Sequence, residues 1–319
     1  MAEETNKYVV VLMLLSAFFI LILIRKYLLD QTGGSGTKES FIQEPPFIVK
    51  RNEHTYDEFS SKIYDKIFHP EKDPHYIIEN VFQLTHPNPQ FTTILDVGCG
   101  TGELLHALNG KGYPNTYGLE KSVAMATECV YKYPSIKVKV GDATEPMTFD
   151  KSTFTHIFCV GMTLYEMRDK ILFFRNCYHW LKPNSFLIIH LVNRGEFNAI
   201  VPAGNPLLLK DPATATTAIQ SPQSYTDTRI TNTEVDFRDF KYKSSYDFTK
   251  KDTVIFTETF MDTASSKIRK NERELYMPNE MESILYDAQY CGFIVTGQVS
   301  YGNFNGDENQ FIFILERPN

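Results

Sequence analysis

The chain has few cysteines, and none of them forms a recognisable pair. Cys99, Cys129, Cys159, Cys177 and Cys291 lie far apart with no CxxC spacing. An odd, dispersed set reads as buried reduced thiols and argues against a disulfide framework or a zinc cluster, so no metal is expected. The chain also lacks an Asn-x-Ser/Thr sequon, which a glycosylated lumenal domain of 319 residues would often carry. Both absences favour a reducing compartment for the main body. A basic excess is missing as well. The formal net charge is −7, which argues against a dedicated nucleic-acid binder with its basic face. No nucleic acid is expected as a partner.

The apolar content is ample. A hydrophobic fraction of 42% with 13% aromatics supports a sizeable core. Part of it is concentrated at the N-terminus. Tyr8 to Ile24 is uncharged and apolar apart from Ser16, with Lys7 before it and Arg25 and Lys26 after it. This is the short end of a membrane span, extended by Leu28 and Leu29 once Arg25 and Lys26 snorkel. A cleavable leader would have a shorter apolar core and small residues at its cut site, whereas this run ends in Ile-Arg-Lys-Tyr-Leu-Leu-Asp. Residues 1–29 are therefore expected to be a tail and a retained N-terminal transmembrane helix. Arg25 and Lys26 on its C-terminal side place the body in the cytosol, as a single-pass membrane protein.

Residues 30–53 read as a linker, opening on Asp30 to Lys38 (DQTGGSGTK) and continuing through Pro45 and Pro46. The folded body is expected from 54 to 319. Tyr56, Phe59, Ile63 and Ile67 recur at helical spacing over 54–68, and a second helix is expected over 75–84. Strand and helix then alternate. Strands are expected over 91–97, 116–120, 136–140, 155–160 and 186–192, with helices over 102–109, 122–132 and 170–181. Such alternation implies βαβ units and a parallel sheet. Residues 194–277 break the rhythm. Pro202, Pro206, Pro212 and Pro222 mark a loop-like stretch, and strands are then expected over 235–242, 253–261 and 267–276. A helix over 279–290 and two strands near 293–300 and 310–316 complete the sheet. The β-rich insertion follows the fifth strand and reads as a lid or substrate wall, with a packing or dimerisation element as the alternative.

The segment Ile94 to Glu103, Ile-Leu-Asp-Val-Gly-Cys-Gly-Thr-Gly-Glu, carries the chemistry. A buried strand ends in a tight turn with three glycines at alternate positions and opens a helix. Glycine lets the backbone approach a ligand closely. Alone, the turn suits a dinucleotide, a phosphate or another nucleoside. The dinucleotide fingerprint wants a third Gly or Ala where Glu103 stands, and GxxxxGK[ST] is absent. Glu120 ends the next strand, where an acid can accept both ribose hydroxyls. Asp142 follows the third strand in Val-Gly-Asp-Ala, where it can read an adenine amino group.

With these residues in this order, the chain resembles a class I S-adenosylmethionine-dependent methyltransferase, well over residues 54–193 and loosely over the final helix and strands. The resemblance implies an α/β fold with a Rossmann-like, seven-stranded, mostly parallel sheet flanked by helices. It implies S-adenosyl-L-methionine as cofactor. It also implies that Asp96, Gly98, Gly100 and Gly102 surround the methionine portion, that Glu120 binds the ribose, and that Asp142 with the Ala143 backbone binds the adenine. Met162, Thr163 and Leu164 would line the pocket near the sulfonium, and Tyr56 and Tyr64 resemble the aromatic N-terminal helix that covers the cofactor. Asn184 stands where the family usually has Gly before the fifth strand, at a turn position that Asn tolerates.

The acceptor is far less legible, because the cofactor supplies the electrophile and the enzyme mainly aligns the acceptor. Cys159-Val-Gly-Met-Thr-Leu-Tyr-Glu contains neither [DN]PP[YFW] nor Pro-Cys, which marks down nucleic-acid amines and cytosine C5. A small molecule, a lipid or a protein side chain remains. Tyr165, Glu166, His190, Asn193 and Arg194 are the acceptor-side candidates, with Tyr165, Glu166 and His190 the catalytic ones. His190 can be poised near neutrality as a base, although its apolar strand better suits a buried, hydrogen-bonded structural histidine. The alternative function is a catalytically silent, cofactor-binding interaction module tethered to a membrane.

Overall fold

The computed structural model describes residues 47–69, 75–205 and 229–319, all within one unit, Gln43–Asn319. The expected anchor over 1–29, most of the linker, and Pro206, Pro212 and Pro222 lie outside the described residues. Among the described residues no helix is long and apolar enough to cross a membrane.

A seven-stranded sheet forms the centre. Its strands are β2 (Ile94–Val97), β3 (Thr116–Glu120), β4 (Lys137–Val140), β5 (Phe154–Cys159), β6 (Leu181–Val192), β11 (Ile294–Ser300) and β12 (Gln310–Arg317). Their order is β11-β12-β6-β5-β2-β3-β4. The five strands from β6 to β4 are parallel. β12 runs antiparallel to both β6 and β11. The sheet is thus mostly parallel, as expected. Every residue of β2 is buried, as suits a strand with neighbours on both edges and helices over both faces. Chain direction reverses around β2, since β3 lies on one side and β5 on the other. That is where open α/β sheets bind ligands, beyond the carboxyl ends of the strands.

The helices that return the chain are α1 (Glu58–Phe68), α2 (His75–Thr85), α3 (Glu103–Gly110), α4 (Val123–Lys132), the single turn α5 (Thr163–Glu166), α6 (Lys170–Trp180) and α7 (Glu282–Tyr290). Side-chain caps fix three starts. Asp57 accepts from the Ser60 N–H, Ser122 from Met125 and Asp169 from Leu172. Such caps satisfy otherwise orphaned N–H groups, each stabilising by about 1 kcal/mol. The apolar faces of α2 and α3 pack with β2, β5, β6 and β12 side chains in one core that includes Ile78, Leu105, Phe158, Ile188 and Ile314.

Four elements differ from the sequence expectation. The single helix over 54–68 is instead a 3-10 turn, Asn52–Thr55, followed by α1, because Asp57 caps a new start. The strand over 235–242 is two strands, β7 (Asn232–Phe237) and β8 (Phe240–Asp247), joined by a two-residue turn. No Gly or Asn marks that turn, and the stacked Phe237 and Phe240 rings close it. β6 begins at Leu181, and the chain passes through Asn184 at φ 54°, the positive-φ turn its sequence position suggests. Finally, Phe47–Arg51, assigned to the linker, forms strand β1.

β1 matters because it joins the insertion. β9 (Val254–Asp262) and β10 (Ile268–Leu275) follow β8, and the second sheet runs β1-β10-β9-β8-β7. β1 is parallel to β10, with Phe47 opposite Ile268 and Arg51 opposite Glu272. The remaining pairs are antiparallel. A five-residue strand whose partner lies far along the chain has no sequence signal beyond alternation, so only the long-range pairing reveals it.

Candidate active site

β2 delivers Gly98, Gly100 and Gly102, all at positive φ, into the turn that opens α3. At Gly98 the absence of a side chain is required twice. Its φ of 71° disfavours L side chains, and a Cβ there would overlap Thr163 on α5. The turn is held from outside by α1, whose Asp65 accepts from the Thr101 hydroxyl and pairs with Lys132 of α4. Lys132 also donates to Glu103 at 2.9 Å, and the Tyr133 hydroxyl does so at 2.6 Å. Burial pushes the Glu103 carboxyl up, but these two partners outweigh it and the net shift is downward. The charged Glu103 then sits in the first turn of α3, where the helix dipole favours it.

Glu120 ends β3 and is buried. Its Oε2 accepts the Gly100 N–H at 2.9 Å and its Oε1 accepts the Ser122 N–H at 2.8 Å. Burial raises its pKa, against those backbone donors. Asp142 follows β4. Its Oδ1 accepts from the Thr144 N–H and hydroxyl at 2.8 and 2.7 Å, and Lys121 lies 3.0 Å from Oδ2. Here burial raises the pKa, but the Thr144 and Lys121 contacts win and the carboxyl lies below its ordinary range.

A cleft of about 1140 Å³ opens over these groups. It is larger than a typical small-ligand pocket, which leaves room for a nucleoside-bearing cofactor and a second molecule. Tyr56, Tyr64, Gly98, Gly100, Glu120, Asp142, Ala143, Thr163 and Glu166 all line it. The structure does not bring every predicted residue there. Asp96 is buried within β2, its carboxyl raised well above the usual range by burial and then by the charge of Glu120. Gly102 packs under the turn against Cys129. Met162 precedes α5 and Leu164 is fully buried, both off the cleft wall.

The acceptor-side candidates separate clearly. The Tyr165 hydroxyl is buried and accepts the Val192 N–H at 2.9 Å, so it fastens α5 to β6. His190 is buried in β6, with Nδ1 2.8 Å from the Gly161 carbonyl and its ring stacked on Tyr301. Burial lowers its pKa to about 4, which leaves a neutral structural imidazole away from the cleft. Arg194 donates to Asn279 and to the Phe248 and Lys250 carbonyls. Asn193 donates to Glu196. Of the set, Glu166 alone reaches the cleft.

Sequence inspection expected the insertion as a lid or substrate wall but named none of the residues through which the second sheet lines the cleft. Glu274, Tyr276 and Arg273 line the cleft from β10 and just beyond it, and Val49 to His54 line it from β1 and the 3-10 turn. Arg273 is buried between Tyr56, Glu166 and Glu258. Arg269, two pleats earlier, grips Asp57 at the start of α1 with two contacts of 2.8 Å. The available signal was period two: Arg269, Asn271, Arg273 and Leu275 alternate along β10 and all face inward. Lys170 ties the rim from below, donating to the Met167 and Tyr276 carbonyls at 2.9 and 2.7 Å, and burial pulls its pKa down to about 8.

Residues 94–184 match the family model described as a methyltransferase domain. The chain carries a methyltransferase domain. Its fold is that of S-adenosylmethionine-dependent methyltransferases. One solved relative in structure is such an enzyme from Clostridium acetobutylicum, at 18% identity and a TM-score of 0.57, covering 83% of this chain and 100% of that one. A second is an amino pentose methyltransferase from Micromonospora echinaspora, bound to S-adenosylmethionine, at 18% identity and a TM-score of 0.53, covering 77% and 92%. A third is a sugar N-methyltransferase from a Streptoalloteichus species, at 17% and 0.52, covering 77% and 86%. No curated protein sequence matches the chain. Among the described residues no group of His, Cys, Asp and Glu is arranged to hold a metal ion.

Proposed function

We propose that the protein methylates a small molecule bearing an N–H or O–H group, with Glu166 as the group that takes the acceptor's proton. The methyl donor is S-adenosylmethionine, which supplies an activated methyl group on a sulfonium centre. The residues present fit it. A glycine turn free of side chains, the buried Glu120 and the half-buried Asp142 line one cleft in the order that methionine, ribose and adenine require. Glu120 and Asp142 orient the nucleoside, and the turn admits the amino-acid portion beside the start of α3.

The single observation that carries the acceptor side is the placement of Glu166. It stands on α5, one turn after Thr163, which packs against Gly98. Its side chain is 31% exposed to the cleft. Tyr56 and Arg273 both bind Oε1, so Oε2 is the oxygen available to an acceptor. A carboxylate fixed at that point suits proton abstraction from an amine or a hydroxyl. Small amines and sugars lead the panel because two enzymes of this fold act on an amino pentose and on a sugar nitrogen.

Tritiated S-adenosylmethionine incubated with a panel of amino sugars, amines and alcohols tests the assignment. Glu166→Gln should lower kcat about 10²- to 10⁴-fold, the range for a positioned acid or base, while calorimetric affinity for the cofactor changes little. Methyl transfer by Glu166→Gln at the parent rate sinks the role of Glu166. Cofactor binding with no transfer to any of the panel sinks the enzyme. Tyr8 to Ile24 supports a further part of the proposal, a membrane tether with the catalytic body in the cytosol. Full-length protein should stay with the membrane pellet through an alkaline carbonate wash, and its release would remove the tether.

A further inference from the structure

The inserted sheet reaches the cleft through one side chain. Arg273 is buried on β10, and its guanidinium stands between two carboxylates. On the sheet side, Nη2 donates to Glu258 Oε2 at 3.0 Å, and the Tyr242 hydroxyl donates to the other Glu258 oxygen at 3.0 Å. On the cleft side, Nη1 donates to the Tyr56 hydroxyl and to Glu166 Oε1, the latter at 3.2 Å, and the Tyr56 hydroxyl itself donates to the same Glu166 oxygen. The guanidinium also lies over the rings of Tyr56 and Phe256, with centroids 4.9 and 4.7 Å away. Three elements from distant parts of the sequence, the segment before α1, the turn α5 and strand β10, thus meet on one carboxylate oxygen.

Stability alone does not account for this residue. The Nε of Arg273 is buried with no hydrogen-bond partner. Burying a guanidinium carries a desolvation cost that an apolar side chain of similar volume avoids, and such replacements are often neutral or stabilising. The Glu258 pair consumes one edge of the fork and would be unnecessary without it. What an apolar residue could not do is fix Glu166, which sits at the end of a single helical turn and, among the described residues, has only Tyr56 as its other partner at that oxygen. A planar fork that bonds a carboxylate and a phenol together sets orientation as well as charge.

The geometry points to Arg273 as the positioning residue of the reaction, a cation delivered by the inserted sheet to hold Glu166 against Tyr56 with its second oxygen turned to the acceptor. This inference rests on the assignment of Glu166 above. It makes the insertion a working part of the site, with Glu258 and Tyr242 as the support that fixes the guanidinium from behind.

Because removing Arg273 alone would leave Glu258 buried and unpaired, the test uses Arg273→Met together with Glu258→Gln, beside Glu258→Gln alone. Three measurements are made on the full chain with tritiated S-adenosylmethionine and the amine and alcohol panel: kcat and KM, cofactor affinity by calorimetry, and labelling of Glu166 by a water-soluble carbodiimide with glycine ethyl ester. The double variant should lose about 30- to 100-fold in kcat, the scale of a misplaced catalytic group. Cofactor affinity should stay within about 3-fold, and Glu166 should be labelled several-fold faster once released. Glu258→Gln alone, which keeps an acceptor oxygen for the guanidinium, should lose clearly less kcat than the double variant, and Arg273→Lys should recover part of the kcat. A double variant that keeps the parent kcat overturns the inference, as does a Glu258→Gln variant that loses as much as the double, since Arg273 would then serve only the packing of the sheet. A parent that binds cofactor but methylates nothing overturns the proposed function itself, and this inference with it, and is recognised before any variant is made.

Discussion

Glu120→Ala should weaken S-adenosylmethionine binding by at least about 100-fold, because two hydrogen bonds to a charged acceptor at ~1.5 kcal/mol or more each are lost together. The effect is compounded by what the carboxylate does within the fold. One of its oxygens holds the Gly100 N–H and the other the Ser122 N–H, so a single side chain sets both the glycine turn and the start of α4. Alanine would leave those donors facing a buried void, at a further ~1–3 kcal/mol of stability for each donor left unsatisfied. Calorimetry and thermal unfolding separate the two consequences. Glu120→Asp keeps the charge but shortens the reach by one methylene, so it should retain partial affinity. An alanine variant that binds the cofactor within about 3-fold of the parent would remove Glu120 from the ribose site.

The candidate cofactor side of the cleft was readable because it is local and ordered along the chain. Gly98, Gly100, Glu120 and Asp142 each end or follow a strand of the parallel sheet, and a parallel sheet brings the carboxyl ends of its strands together by topology alone. A residue's position in the pattern therefore implied its position in space. Asn184 at positive φ is a small instance of the same logic. The reach of that logic was one residue. Met162, Thr163 and Leu164 were expected at the wall, but of these the α5 turn presents Thr163 alone, with Glu166 one turn on. A one-turn helix has too few residues for periodicity to fix which side faces the cleft.

The proposed acceptor side was less legible for a different reason. Its parts meet through pairings between residues more than a hundred positions apart: Tyr56 with Glu166, Glu166 with Arg273, and β1 with β10. Arg269 and Arg273 in Ile-Arg-Lys-Asn-Glu-Arg-Glu-Leu look like the solvated face of a charged strand, since arginine is rarely buried without a partner. Their partners, Asp57 and Glu258, are themselves unremarkable in sequence. Likewise His190 offered the residue type of a base, and only burial distinguishes a neutral structural imidazole from a titrating one.

That distinction carries a measurable consequence for the whole fold. His156 and His190 are both buried in the central sheet, and burial lowers each pKa to about 4. In the unfolded chain both return to about 6.5. Between pH 6.5 and 4 the unfolded state therefore binds more protons than the folded state, and stability must fall as the pH falls through that window. The full difference is about 3 kcal/mol for each histidine, so the pair accounts for about 6 kcal/mol, comparable with the entire stability of many domains. The carboxyls of Glu103 and Asp142, held below their ordinary range, add loss of the same sign at lower pH. Asp96 and Glu120, held above theirs by burial, act in the opposite direction. Subtraction isolates the histidines. His190→Asn keeps a donor for the Gly161 carbonyl, and His156→Phe suits a ring already lying between Phe82 and Phe186. Urea unfolding from pH 7 to 4.5 should show each variant losing less stability than the parent, and the double variant least. Parallel curves for parent and variants would mean that both imidazoles are already free to protonate in the folded protein.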